Sequence, residues 1–370
     1  MKKVLIFLSL TFILFFTAFN VTAADEVYDE EFFSNSLFSS IDGDVQEALE
    51  EFGIEGLSDE NIYSVSFSDI SEYFSEDLMS RAEGCIGNFF SLLSVLLVIS
   101  TVNTYFVAGN KENLTEITGV IIITLMLVSK LNPILNMLLS TMKTSGNFIL
   151  AFIPIFTLLV SLSGNPGAAI TYNSLCFAFA EGISVFINNF ASHIIGSFLC
   201  VSIAFSLNKM MNANRFINIV NKAVSFIIGF LACGFTGLLS IKGVMSVTVD
   251  AVSSKSVRFL LSNLIPIVGS SISDAYSSLL GSINLIKGSV AIVGILVILI
   301  ISLPVVFEGL FYCISFSALS YLAEVFDCIQ ISNIFRAFCS GLRFLLLLSV
   351  FEAFVLIIST GIMLTMKGGI

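Results

Sequence analysis

From Cys85 to the end of the chain, apolar runs follow one another with few polar interruptions, and only 9 acidic and 13 basic residues remain. An unsatisfied backbone N–H or C=O is costly in hydrocarbon, so only helices or closed barrels can span a bilayer. Runs such as Ile117–Val128, Phe148–Leu162 and Val290–Leu303 are apolar without the two-residue alternation of a barrel strand. The sequence therefore predicts an all-α, polytopic helical membrane protein. A hydrophobic fraction of 56% and a mean hydropathy of +0.99 agree, since both lie outside the range of soluble domains.

Ahead of this body the composition reverses. Residues Asp25–Glu83 carry 18 acidic side chains and one basic one, Arg81. The formal charge of −11 thus describes this segment, while the body is slightly positive. Before it, Lys2 and Lys3, the apolar run Val4–Phe16 and the small residues Val21-Thr22-Ala23 form a signal-peptide pattern over residues 1–24. Cleavage is expected after Ala23 or Ala24; the other reading is an uncleaved anchor helix. Either way the two lysines stay inside, so the acidic segment, residues 25–84, is expected outside the cytoplasm. Phe32, Phe33, Leu37, Phe38 and Ile41, then Val45, Leu49 and Phe52, recur at helical spacing. They predict short amphipathic helices that rest on the membrane body or form a docking surface for extracytoplasmic partners.

In residues 85–370 the apolar runs Ile86–Phe106, Ile117–Leu139 and Phe148–Leu162 read as spans, with Gly146 and Gly164-Asn165-Pro166-Gly167 as breakers. Ala169–Leu207 is long enough for two more. Asn208–Lys222 holds Lys209, Arg215 and Lys222 with no acid, and reads as a cytoplasmic interfacial helix. Ala223–Ser240, Phe259–Leu280, Val290–Val306, Leu310–Leu322 and Phe344–Met363 complete the series. Phe259–Leu280 contains Pro266, Gly269 and Asp274, which suits a broken or re-entrant helix. Eight to ten spans are expected.

A shift of 112 residues aligns Lys130 with Lys242, Lys143 with Lys255, and Ile153-Pro154-Ile155 with Ile265-Pro266-Ile267. It suggests parallel copies at residues 118–229 and 230–341. Pro154 and Pro266, with Gly269, become candidate structural breaks at a repeat interface, where transporters place binding sites.

Ionisable groups inside spans are costly and usually face protein or water. Glu181, Asn188 and Ser192 fall at i, i+7 and i+11; Glu308 and Tyr312 fall at i and i+4. Lys130 and Lys242 are the cations placed to pair with Glu181 or Glu308, or to reach an interface. These residues make a hydrated or ion-coupled path on one reading and interhelical hydrogen bonds on the other. A path needs Glu181 and Glu308 to face one cavity; a platform lets them point to separate contacts.

No chemistry accompanies them. The seven cysteines form no CxxC, and His193 alone makes no metal cluster. Nucleotide-binding, zinc-protease and hydrolase signatures are missing, and scattered basic residues argue against nucleic acid. The expectation is a non-enzyme without catalytic residues, metal or cofactor.

The block Lys255-Ser-Val-Arg-Phe259-Leu-Leu-Ser-Asn263-Leu-Ile265-Pro266-Ile-Val268-Gly269, continuing through Ser273-Asp274-Ala275, resembles the stage III sporulation protein AE family of endospore-forming bacteria. The layout of signal peptide, acidic external segment and polytopic body is similar as well. The resemblance implies a membrane subunit of the channel, or feeding tube, that links mother cell to forespore and sustains late forespore gene expression. It implies the outer forespore membrane as location, with the acidic segment in the intermembrane space. The implied partners are a ring-forming subunit, an ATPase-like subunit and a forespore-side partner. The alternatives are an ion-coupled transporter or permease, and a non-conducting assembly platform.

Overall fold

The computed structural model describes residues 30–57, 62, 67–107, 112–208, 211–264 and 269–365. The signal-peptide stretch, Pro266 and the side chain of Lys242 lie outside the described residues. Among those described, every regular element is helical. Two short helices, α1 (Glu30–Phe38) and α2 (Gly43–Glu51), precede the rods α3 (Phe67–Val107) and α4 (Glu112–Leu162). Next, α5 (Pro166–Phe186) runs through a π-turn at Ile187–Ala191 into α6 (Ser192–Leu207). The chain ends with α7 (Ala213–Leu264), α8 (Gly269–Val325) and α9 (Ile329–Thr365).

The aromatic periodicity of the acidic segment produces α1 and α2. Phe33, Leu37, Ile41, Val45 and Leu49 are all buried. The Gln46 side chain donates to the carbonyls of Phe38 and Ile41 at 2.6 and 3.1 Å, which occupies acceptors left open where α1 ends. Gly53 closes α2 in the left-handed region, at φ 71°, and Ile54 N–H donates back to Leu49. These helices pack on α4 and α8, so the apolar stripe is covered by the molecule's own rods.

Among the described residues, six helical stretches are long and apolar enough to cross a membrane, against the eight to ten spans expected. The difference has a local cause. Ile117–Leu139 and Phe148–Leu162 belong to one helix, α4, and Val290–Val306 and Leu310–Leu322 belong to α8. Gly146, expected as a breaker, is buried against Glu352 of α9 and Ser184 of α5, so packing holds the helix where local propensity would end it. Pro154 likewise sits inside α4, with Pro133, and Pro304 inside α8. Each proline forfeits one backbone hydrogen bond, yet the helix continues through it. Pro154 is therefore no helix terminus, and Gly269 is the first described residue of α8.

Five expected crossings before Asn208 become three rods: α3, α4 and α5–α6. Both numbers are odd, so the parity that put the basic stretch and the acidic segment on opposite sides is unchanged. The interfacial helix expected there does not form separately. From Ala213 onward these residues are the first turns of α7, with Ile217 buried and the Phe216 ring 5.9 Å from Phe198. The internal duplication is not established by the fold. A shift of 112 carries the turn at Ser163–Asn165 onto residues 275–277, which lie inside α8.

Two turns explain the sharp reversals. Gly164, at φ 87°, ends α4, and Pro166 starts α5 with the φ a first helical residue needs. Between α8 and α9 the left-handed position is taken by Asp327, at φ 57°, with Cys328 N–H donating to Ala323.

The centre is formed by α4, α8 and α9, with α3, α5–α6 and α7 more exposed around it. The rings of Phe148, Phe152, Phe156 and Tyr172 succeed one another at 5.8, 5.4 and 5.2 Å between α4 and α5. Gly294 lets Phe152 close on α8: a Cβ there would fall 2.3 Å from the ring. The helical stretches Ile117–Leu162 and Ser277–Val325, each of which holds an apolar segment long enough to cross a membrane, have 46 and 49 residues. At 1.5 Å per residue they reach about 70 Å, roughly twice the ~30 Å hydrocarbon core of a bilayer. A tilt of up to about 40° does not absorb that excess.

Candidate functional site

Three of the polar residues singled out from the sequence take part in two neighbouring hydrogen-bonded clusters, one between α3 and α8 and one across α3, α4 and α8. Arg81 of α3 donates from Nε to Asp77 Oδ2 at 2.7 Å and from Nη1 to Glu308 Oε2 of α8 at 2.5 Å. Two turns further along α3, Asn88 donates to the Tyr312 hydroxyl at 2.8 Å and accepts from Lys130 Nζ of α4 at 2.6 Å. The spacing makes this possible. Arg81 and Asn88 are seven residues apart, and Glu308 and Tyr312 four, so each pair shares one helix face. The side chains of Arg81 and Glu308 are 27% and 16% exposed. That leaves a partly screened pair, worth less than a fully buried one.

This arrangement ties helices together. Lys130, Glu308 and Tyr312 are each held by α3, through Arg81 and Asn88, two residues that the sequence pattern did not single out. The signal for Arg81 was visible as the one basic residue in an acidic segment.

Glu181, Asn188 and Ser192 are placed differently. All three are exposed on α5, the π-turn and α6, together with Asn189 and His193. The π-turn adds a residue to the helix and rotates α6 by roughly 100° about the axis, so the i, i+7, i+11 spacing does not describe one straight stripe. Asn188 donates to Ser184 Oγ at 3.3 Å, Asn189 to the Val185 carbonyl at 3.0 Å, and Ser192 Oγ lies 3.5 Å from His193 Nδ1. These bonds stay within one rod. The structure does not bring Glu181 and Glu308 together, and Lys130 pairs with neither.

A third polar feature was missed altogether. Glu352, in the middle of α9, is 1% exposed, and neither carboxyl oxygen has a hydrogen-bond partner. It faces Gly146 of α4, where an added Cβ would come within 2.9 Å of Oε1. The Ser145 hydroxyl beside that glycine is also buried without a partner. An acidic residue inside the apolar run Phe344–Met363 was the available signal.

No group of three or more His, Cys, Asp or Glu side chains placed to hold a metal occurs among the described residues. All seven cysteines are free thiols. Cys313 and Cys339 face each other between α8 and α9, each thiol donating to the other's backbone carbonyl, at 3.6 and 3.5 Å.

Comparison with known proteins places this architecture. The family model for stage III sporulation protein AE matches residues 45–367. The stage III sporulation protein AE of Bacillus subtilis (strain 168) is 22% identical over 199 residues, covering 53% of this chain and 50% of that protein. The match therefore spans about half the length of the curated relative. No solved structure matches.

Proposed function

This chain belongs to the stage III sporulation protein AE family of sporulation membrane proteins, and from that premise we propose that it is an assembly platform within the channel complex joining mother cell and forespore. In this reading it is a non-enzymatic multi-pass subunit required for late forespore gene expression and spore formation. It lies in the outer forespore membrane, with the acidic segment in the intermembrane space and the basic Asn208–Lys222 end in the mother-cell cytoplasm. Its partners are the ring-forming and ATPase-like subunits and a forespore-side component.

The observation that carries the platform reading is the polar outer face of α5 and α6. Glu181, Asn188, Asn189, Ser192 and His193 are exposed on an apolar rod, where lipid would leave them unsatisfied. A neighbouring subunit supplies what lipid cannot. The inner contact points the same way: Glu308 is committed to Arg81.

The test is a photo-crosslinking residue at Asn189 in sporulating cells. An adduct identified as another stage III membrane subunit, lost when Asn188 and Ser192 are changed to Leu, is the expected result. Lipid adducts alone, with normal spore yield after those substitutions, contradict it.

One observation favours a second reading, an ion-coupled path. Glu352 is a buried carboxyl without a protein partner in the bundle centre. Loss of spores in Glu352→Gln, with the protein still assembled, would favour that reading over the platform.

A further inference from the structure

Where α8 turns into α9, a polar cavity opens onto an apolar groove, and the two share a wall. The cavity, about 260 Å³, is lined by Arg336, Arg343, Asn218, Asn221, Ser320 and Tyr321, among others. The groove, about 590 Å³, runs between α8 and α9 past Tyr321, Ile314, Leu310 and Val306, with Leu346 and Val350 opposite. Ser317, Tyr321 and Arg343 belong to both. From Tyr321 to Val306 the groove runs along α8 for about 22 Å, the scale of a lipid acyl chain. Leu310, Ile314, Tyr321 and Val350 are exposed, so the groove opens outward from the bundle.

The charges in the cavity do not cancel. Arg336 is paired with Glu324 and donates from Nε to Ser320 Oγ at 3.0 Å. Asn221 is tied to Ser340 Oγ at 2.9 Å. Arg343 has no carboxylate partner among the described residues; its guanidinium lies 4.0 Å from the Cys339 thiol. An arginine within an apolar span is costly without an anion, and its planar fork fits phosphate with two hydrogen bonds. Helix geometry places this arginine at the mouth of a groove that has no charged residue along its remaining length.

We propose that the cavity and groove together bind one anionic phospholipid, with its phosphate on Arg343 and one acyl chain along α8. Free phosphate satisfies the cavity and leaves the groove empty. A zwitterionic lipid fills the groove and brings no net charge to offset the arginine. An anionic lipid matches both halves.

The chain has no tryptophan, so Tyr321→Trp installs a single fluorescent reporter at the shared wall. The full-length protein carrying it is titrated with vesicles containing brominated phosphatidylglycerol or brominated phosphatidylcholine. Half-maximal quenching is expected at about fivefold lower mole fraction of the anionic lipid. Arg343→Gln in the reporter background should remove that preference, and Ala318→Phe, which narrows the groove, should weaken quenching by both lipids. Where Arg343→Gln fails to fold, raised salt in the unmutated reporter protein tests the same charge and should shrink the preference. Equal quenching by the two lipids overturns the proposal, as does an unchanged preference without the Arg343 charge. Inorganic phosphate that abolishes the preference at millimolar concentration identifies a phosphate site instead and overturns the lipid assignment.

Discussion

Glu308 and Glu181 were indistinguishable as sequence features, each an acid on a membrane-length helix with polar neighbours at helical spacing. In the folded chain they differ in every respect that sets a role. Glu308 meets Arg81 from α3 and stands four residues from Tyr312, itself held by Asn88, so one patch of α8 is tied to α3, which in turn holds Lys130 of α4. Glu181 is exposed, and its polar neighbours bond only within their own rod. A polar residue in a membrane helix takes its role from what the facing helix carries. That information lies elsewhere in the chain.

The largest expected effect separates the two sites by stability. Arg81→Leu strands Glu308, and should destabilise the protein by about 2–3 kcal/mol, discounted from the fully buried case because Arg81 is 27% exposed. Glu181→Leu should fall within about 0.5 kcal/mol of the parent, as surface substitutions do. Reversible unfolding in mixed micelles measures both, and equal losses would break the comparison.

Glycines give a second contrast, independent of charge. Gly294→Ala drives a Cβ to 2.3 Å from the Phe152 ring and should cost about 1–3 kcal/mol by overpacking. Gly182→Ala and Gly196→Ala, on the α5–α6 rod, have nothing within 4 Å and should be neutral or add up to about 1 kcal/mol of helix stability. The same unfolding assay reads them; a loss at Gly182 or Gly196 would mean that this face is packed in the isolated protein.

Smaller effects sharpen the picture. Tyr312→Phe removes the acceptor of Asn88 and should cost about 1 kcal/mol or less, typical of single interhelical hydrogen bonds in membranes. Asn188→Ala should be smaller still in the isolated protein, within about 0.5 kcal/mol, because its bond to Ser184 stays on one exposed rod. A larger loss at Asn188 than at Tyr312 reverses the assignment of inner and outer sites.

Much of the fold was legible because lipid restricts the choices. The lack of alternation identified helices, and the spacing of Phe33, Leu37, Val45 and Leu49 located α1 and α2 close to where they form. Span boundaries were not legible. Gly146 is a local breaker whose cost is outweighed by contacts with α5 and α9, which join residues far apart in the chain, and Pro154 sits inside α4 without ending it. At the site, Glu308, Tyr312 and Lys130 could be nominated, but not the link of Tyr312 and Lys130 through Asn88, which looks like any other amide near the start of a span. The π-turn at Ile187–Ala191 also left no mark in the spacing, and it altered the phase that made Glu181, Asn188 and Ser192 look like one stripe. Glu352 was overlooked although its position in an apolar run was plain.

The central claim is that Glu308 acts as a clip between α3 and α8. A double-mutant cycle with Arg81→Met and Glu308→Gln measures this most directly, by unfolding the parent, both single variants and the double variant under one set of conditions. A clip predicts a favourable coupling of about 1–2 kcal/mol, with the double variant less destabilised than the two single losses added together. Additive losses, with coupling below about 0.3 kcal/mol, would contradict it and leave Glu308 free for a different role.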